Sequence, residues 1–174
     1  MQQLFTELCR RLGPADVPPP LALVVSIGRQ RLALFRDSVL AAEWPVSTSR
    51  FGVGSLRDSF KTPLGLHRIA EKIGADMPLD TVFKGRKPVE KLSALSSQPS
   101  ADLIMSRILW LDGCEPGLNR GGDVDSHDRY IYIHGTVHED RIGTPDSHGC
   151  VRMRNADIAA LFDLVEVGTP VFIG

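Results

Sequence analysis

Apolar and polar positions alternate in short runs along most of this chain, the pattern of strands rather than of long helices. Leu21 to Ile27 is a continuous apolar, β-branched run. Gly28-Arg29-Gln30 breaks it, Arg31 to Phe35 alternates, Arg36-Asp37-Ser38 turns again, and Val39 to Ser47 follows. Three short runs joined by tight turns predict an antiparallel meander. Leu66–Ile73, Ile104–Leu111, Tyr130–Ile133 and Pro170–Ile173 predict four more strands, and Tyr130–Ile133 delivers His134 at its end. Helical spacing is confined to short stretches. Leu4, Phe5 and Leu8 fall on one face of Gln2–Leu12, which Gly13-Pro14 closes. Ile158, Leu161, Phe162 and Val165 repeat at i, i+3, i+4 and i+7, with Asn155 as cap and Gly168 as stop. Pro88 to Leu95 predicts a third, short helix. The fold class is therefore mainly β with a few short helices.

At 174 residues the chain suits one hydrophobic core. Residues 1–20 read as an N-terminal helix and a stiff lead, Pro18-Pro19-Pro20, into a single domain over 21–174. Gly74 to Asp128 is the least regular stretch, rich in Gly, Pro, Ser and Asp, and is expected to wall a substrate cleft.

Charge removes several classes of function. The formal net charge is -1, with 24% charged residues, so no single-sign field exists to hold nucleic acid or an anionic membrane. Lys84-Gly85-Arg86-Lys87 reads as a solvated loop. The apolar run Leu21–Ile27 is too short to span a bilayer. Met1–Arg11 lacks the order of a secretory leader, positive charge first and then an apolar run, which predicts a cytoplasmic location, or a periplasmic one if a leader precedes this sequence. Three widely spaced cysteines, Cys9, Cys114 and Cys150, predict free thiols rather than a disulfide framework.

The chemistry concentrates in His134-Gly135-Thr136 and Ser147-His148-Gly149-Cys150-Val151-Arg152. A cysteine nucleophile needs a base, because a free thiol titrates near ~8.5. It also needs donors for the oxyanion formed at an attacked carbonyl. His134 is positioned as the base. Gly149 removes a side chain where the amides of Gly149 and Cys150 would meet the substrate oxygen. A backbone carbonyl at Gly135 or Thr136 would hold the second ring nitrogen of His134, so no carboxylate is needed as a third member.

These motifs resemble the YkuD family of L,D-transpeptidase catalytic domains: His-Gly, a spacer, then Ser/Thr-His-Gly-Cys, an apolar residue and Arg or Asn. Val46-Ser47-Thr48 and Thr62-Pro63-Leu64-Gly65 match two upstream elements in order, and Asp157 to Ile173 matches the family's C-terminal helix and strand. Ser49 departs from the glycine common after the first element. The resemblance covers about residues 21–174. It implies a β-sandwich or open barrel of mostly antiparallel strands acting on peptidoglycan tetrapeptide stems. Cys150 would attack the carbonyl of the diamino acid's L-centre, expel D-alanine and form a thioester. His134 would be base and later acid, and Gly135 its orienter. His148 and Ser147 would shape the turn, and Arg152 would meet a substrate carboxylate, with Thr136 beside them. Water as acceptor makes an L,D-carboxypeptidase of murein recycling, and an amine acceptor makes a crosslinking L,D-transpeptidase. The predicted cytoplasmic location favours water. Inhibitors of the carbapenem type are expected to acylate the same thiol.

Other readings compete. His134, His138, His148 and Cys150 suggest a metal site, but the i, i+4 histidines follow a strand and lack the glutamate of a helical zinc motif. Neither a metal nor a cofactor is expected. Cys9 and Cys114 read as small hydrophobes, and His67, His127 and His138 as surface or core residues. A silent wall-peptide-binding module is the rival from another class, and a generic cysteine protease lacks its partner motif.

Overall fold

The meander forms where the turns allow it. Strands β1 (Leu21–Ser26), β2 (Arg31–Arg36) and β3 (Val39–Pro45) pair antiparallel, with Leu23 opposite Leu34 and Leu34 opposite Ala42. Asp37 and Ser38 link β2 to β3 at φ 49° and 66°, the left-handed pair that fits a tight hairpin. The structure, a computed structural model, describes residues 1–13, 17–91 and 103–174. Further strands are β4 (Gly65–Ile73), β5 (Thr81–Lys84), β6 (Lys87–Lys91), β7 (Ile104–Gly113), β8 (Tyr132–Thr136), β9 (Val151–Met153) and β10 (Pro170–Ile173). The helices are α1 (Gln2–Leu12) and α2 (Asn155–Leu164).

All the strands join one sheet, ordered β3-β2-β1-β10-β4-β7-β5-β6, with β8 branching from β7 and β9 from β8. Most pairs are antiparallel. The exceptions are β1 with β10, which brings the C-terminus beside the first strand, and β8 with β9, which builds the site. The fold is mainly β, as the alternation predicts.

Side-chain alternation splits the apolar residues between two faces. Leu23, Val25, Leu32, Leu34, Ile69, Leu109, Leu111, Ile133, Val171 and Ile173 pack with Ile158, Leu161 and Phe162 of α2 into the main core. Ala22, Val24, Ala33, Phe35 and Phe172 face the other way, onto Phe5 and Leu8 of α1. Phe5 stacks on Phe35 with centroids 4.3 Å apart. Burying such side chains stabilises by roughly 1.5–3 kcal/mol each, so α1 is a working layer of the domain.

Four local expectations need correction. Pro88 begins no helix: Lys87–Lys91 is β6, hairpin partner of β5 across Gly85 and Arg86 (φ 54° and 67°), and residues 92–95 lie outside the described residues, as does Pro14. Tyr130 takes φ 57° and precedes the strand, so His134 sits in the middle of β8 rather than at its end. Asn155 is the first residue of α2, whose cap position is Arg154, and its side chain bonds elsewhere. Helix α2 ends at Leu164, before Gly168. The 74–128 stretch, read as cleft wall, also supplies β7, which pairs with β4, β5 and β8.

Candidate active site

Parallel pairing of β8 and β9 brings the two sequence motifs together. Ile133 lies opposite Val151, His134 opposite Arg152 and Gly135 opposite Met153. Cys150 is therefore the residue just before β9, next to the start of β8. Its Sγ accepts the Tyr132 N–H at 3.4 Å and donates to the Tyr130 carbonyl at 3.5 Å. His134 is two positions past Tyr132, on the same face of the strand. Cys150, His134, His148 and Ile104 line one open cavity of about 270 Å3.

The tautomer of His134 follows from its neighbour. Nδ1 lies 2.6 Å from the Gly135 carbonyl oxygen, which can only accept, so Nδ1 carries the proton and Nε2 is the basic atom. The residue is 2% exposed. Gly135 is glycine because there is no space for a side chain: a Cβ there would collide with Asn155 Oδ1 and come within 2.8 Å of the Met105 carbonyl. Behind it, a bulge in β7 turns Ser106 so that its Oγ donates to Asn155 Oδ1 at 2.6 Å, while Asn155 Nδ2 donates to the Thr136 carbonyl at 2.9 Å and to Glu139 Oε1 at 2.7 Å.

The turn that presents Cys150 is closed by Ser147. Its Oγ donates to the Cys150 carbonyl at 2.6 Å and accepts the Gly149 N–H at 3.2 Å. Gly149 takes φ 122°, a conformation closed to other L-residues without strain. The expected oxyanion role of the Gly149 amide is thus corrected: this amide already serves the turn. The two upstream motifs lie directly against this turn. Ser47 and Arg152 exchange backbone bonds of 2.9 Å each, and the Thr48 carbonyl accepts the amides of Asp146 and Ser147, both at 2.9 Å. Thr62 Oγ1 donates to the Gly149 carbonyl and accepts the Ser49 N–H, both at 3.0 Å.

Two expected substrate contacts face inward instead. Arg152 is 1% exposed, and its Nη2 bonds Asp146 Oδ2 at 2.6 Å and Ser47 Oγ at 3.3 Å. Burial pushes the Asp146 carboxyl up, but hydrogen bonds from Arg152 and Arg141 with their charges outweigh it and leave it below its ordinary value. Arg152 is a structural cation that ties β9 to the loop before Ser147. Thr136 is fully buried, and its Oγ1 accepts the His138 N–H at 3.1 Å. His148 is exposed at the cavity mouth. Its Nε2 accepts from Arg50 Nη2 at 2.7 Å, and its ring lies 5.7 Å from Phe51 and 5.9 Å from Phe60.

A second cavity, of about 300 Å3, shares the His148 wall and is lined by Arg57, Asp58, Phe60, Asp128, Arg129, Tyr130 and Ile131. Sequence reading missed Asp146, Asn155, Ser106 and Arg129. Only Asp146 carried a signal, an acid six positions before a motif arginine. Cys9 and Cys114 pack against the α1 core, and burial raises both thiols. Among the described residues no group of three or more His, Cys, Asp or Glu is arranged to hold a metal.

The class this defines is a mainly β domain with a cysteine and a histidine in the lining of one cavity. Over residues 20–173 the chain matches YkuD, the L,D-transpeptidase catalytic domain, and it belongs to that family. The probable L,D-transpeptidase YbiS of Escherichia coli strain K12 is 56% identical over 43 residues, 25% of this chain and 14% of that protein. The probable L,D-transpeptidase ErfK/SrfK of Salmonella typhimurium is 53% identical over 45 residues, 26% of this chain and 15% of that protein. The matched stretches are thus a small part of these curated relatives. L,D-transpeptidase 3 from Mycobacterium tuberculosis, solved with a faropenem-derived adduct, superposes with TM-score 0.57 at 16% identity, over 89% of this chain and 60% of that one. An L,D-transpeptidase from Mycobacterium smegmatis superposes with TM-score 0.54 at 18% identity, over 89% of this chain and 58% of that one. At these identities the likeness is one of fold.

Proposed function

We propose that the protein cleaves the bond between the diamino acid's L-centre and terminal D-alanine in peptidoglycan tetrapeptide stems. The route is a Cys150 thioester resolved by water, the chemistry of an L,D-carboxypeptidase in murein recycling. The observation that carries this reading is that Cys150 and His134 share one cavity, with Nδ1 of His134 committed to Gly135. His134 Nε2 takes the thiol proton, and Sγ attacks the carbonyl. Collapse of the tetrahedral intermediate breaks the C–N bond, and the same imidazole returns the proton to the departing alanine amine. A water, deprotonated by Nε2, then attacks the thioester and releases the tripeptide and the thiol.

The water-resolved reading places the protein in the cytoplasm with soluble wall fragments, which cell fractionation tests. The amine acceptor is favoured by the names of the relatives, and a crosslinked product would establish it. The faropenem-derived adduct of one structural neighbour supports acylation of Cys150 by β-lactams of the penem and carbapenem kind.

Mass spectrometry of a disaccharide-tetrapeptide decides among these readings. Loss of one alanine with the native protein and none with Cys150→Ala is expected. A heavier dimer would replace water by an amine as acceptor. No change with either protein would leave a silent wall-peptide-binding module.

A further inference from the structure

The anchor of His134 is its own neighbour. Nδ1 lies 2.6 Å from the Gly135 carbonyl oxygen, so the ring is only as fixed as the Gly135–Thr136 peptide unit that carries this carbonyl. Glycine has the widest backbone freedom of any residue. On the β7 side the ladder that would restrain it is broken at this step. Gly135 pairs with Met105 and His134 with Ile108, which leaves Ser106 and Arg107 between them.

Asn155 supplies the missing restraint. Its Oδ1, together with the Met105 carbonyl, occupies the space that a side chain on Gly135 would need. Its Nδ2 donates to the next carbonyl, that of Thr136, at 2.9 Å. Two further elements hold Asn155 itself. In the Glu139–Arg141 turn, Glu139 Oε1 accepts from both Nδ2 and the backbone N–H of Asn155, each at 2.7 Å. From β7, Ser106 Oγ donates to Oδ1 at 2.6 Å and shares its proton with the Leu79 carbonyl at 2.5 Å. The Thr136 carbonyl and the Glu139 carboxylate only accept, which fixes which way round the amide lies. Ser106 is fully buried at φ 64°, a strained conformation for a residue with a side chain. Bulges of this kind re-aim a side chain beside an active site.

We propose that Asn155 is a positioning residue. It fixes the Gly135–Thr136 peptide, and through it the tautomer and direction of the His134 ring, with Ser106 and Glu139 holding Asn155 in turn. This inference rests on His134 acting as the base of the thioester chemistry proposed above. Without the amide the Gly135 carbonyl is free to turn, the Nδ1 proton loses its acceptor, and the basic Nε2 is no longer presented to the cavity in every molecule.

The test reads the ring and the rate separately. Nitrogen NMR of the histidine-labelled native protein is expected to show neutral His134 as one tautomer, with its proton on Nδ1. In Asn155→Ala both tautomers are expected, and kcat for D-alanine release from a soluble tetrapeptide is expected to fall about a hundredfold with KM within a fewfold. Ser106→Gly removes the hydroxyl but keeps the bulge, because glycine takes φ 64° without strain. It is expected to mix the tautomers in part and lower kcat about tenfold, the loss of one hydrogen bond. A single Nδ1-protonated tautomer in both variants would overturn the proposal, whatever happens to the rate. So would a raised KM at unchanged kcat, which would make Asn155 a substrate contact. Should Asn155→Ala fail to fold, Ser106→Gly decides by the same two readings. Should the native protein leave the tetrapeptide intact, the thioester chemistry has failed by itself, and the tautomers of His134 in the native protein and the variants still decide the role of Asn155.

Discussion

The two buried histidines of this protein begin alike and end differently. His67 on β4 and His134 on β8 flank the same strand, β7, and are 0% and 2% exposed. Each sets Nδ1 against the carbonyl of a glycine, at 3.0 Å from Gly65 and 2.6 Å from Gly135. The second nitrogen separates them. Nε2 of His67 meets Ser126 Oγ at 3.0 Å, deep in the protein. His134 instead lines the cavity that holds Cys150. Burial with one anchored nitrogen is therefore common to a structural histidine and to the one proposed as the base. What distinguishes them is whether the far side of the ring faces a serine in the core or a thiol at a surface opening.

Exchanging the two residues in turn should break this comparison most sharply. His134→Gln is expected to lower the rate of D-alanine release about a thousandfold, with the melting temperature little changed, because glutamine can still donate to the Gly135 carbonyl. His67→Gln is expected to do the reverse, keeping the rate within a fewfold while lowering the melting temperature. Steady-state kinetics and thermal unfolding on both variants check the pair. Equal rate losses would deny the division of roles.

A second contrast sets Arg152, which the motif placed at the substrate, against Arg129, which no motif marked. Arg152 sits opposite His134 in the β8–β9 register, yet its guanidinium points inward to Asp146. Asp146→Asn would remove a counter-charge that buried Arg152 holds at 2.6 Å. The expected loss is about 3–5 kcal/mol of stability, the usual result of removing one member of a buried pair. Denaturant unfolding checks it. A variant of unchanged stability but raised KM would return Arg152 to the substrate role expected from the sequence.

These contrasts show what the sequence could and could not reveal. The strands of the meander, the apolar stripe of α2 and the two halves of the catalytic motif were legible because each depends on neighbours within a few residues. Gly149 and Gly135 were legible as glycines that matter, although for Gly135 the larger reason is the closeness of Asn155 and Met105. Side-chain direction was not legible. Whether Arg152 faces solvent depends on Ser47, 105 positions away, and on a β9 strand with all three residues buried. Asn155 reads locally as a cap, and only the bulge at Ser106 diverts it. Arg129 carried no signal because its orientation is set by two carbonyls in the loop at Gly54 and Lys61. Pro88 misled because hairpin pairing with β5 outweighed its liking for the first turn of a helix.

The smallest effect is also the one that isolates His67 from His134 by pH alone. Burial is the main cause that lowers His67 from 6.5 to about 4, helped by the charge of Arg129 and opposed by the Gly65 carbonyl and the charges of Glu115 and Asp112. Between those two values the unfolded chain binds a proton at His67 and the folded protein does not. Stability must then rise with pH across that window, and fall as pH drops from 6.5 toward 4. The full shift is worth on the order of 3 kcal/mol. The lowered Asp146 carboxyl acts in a separate range: its contribution is lost only as pH falls below the ordinary carboxylate value. Chemical denaturation at a series of pH values should show this slope in the native protein and a flatter one in His67→Gln. An unchanged slope in the variant would move the titration to a group other than His67.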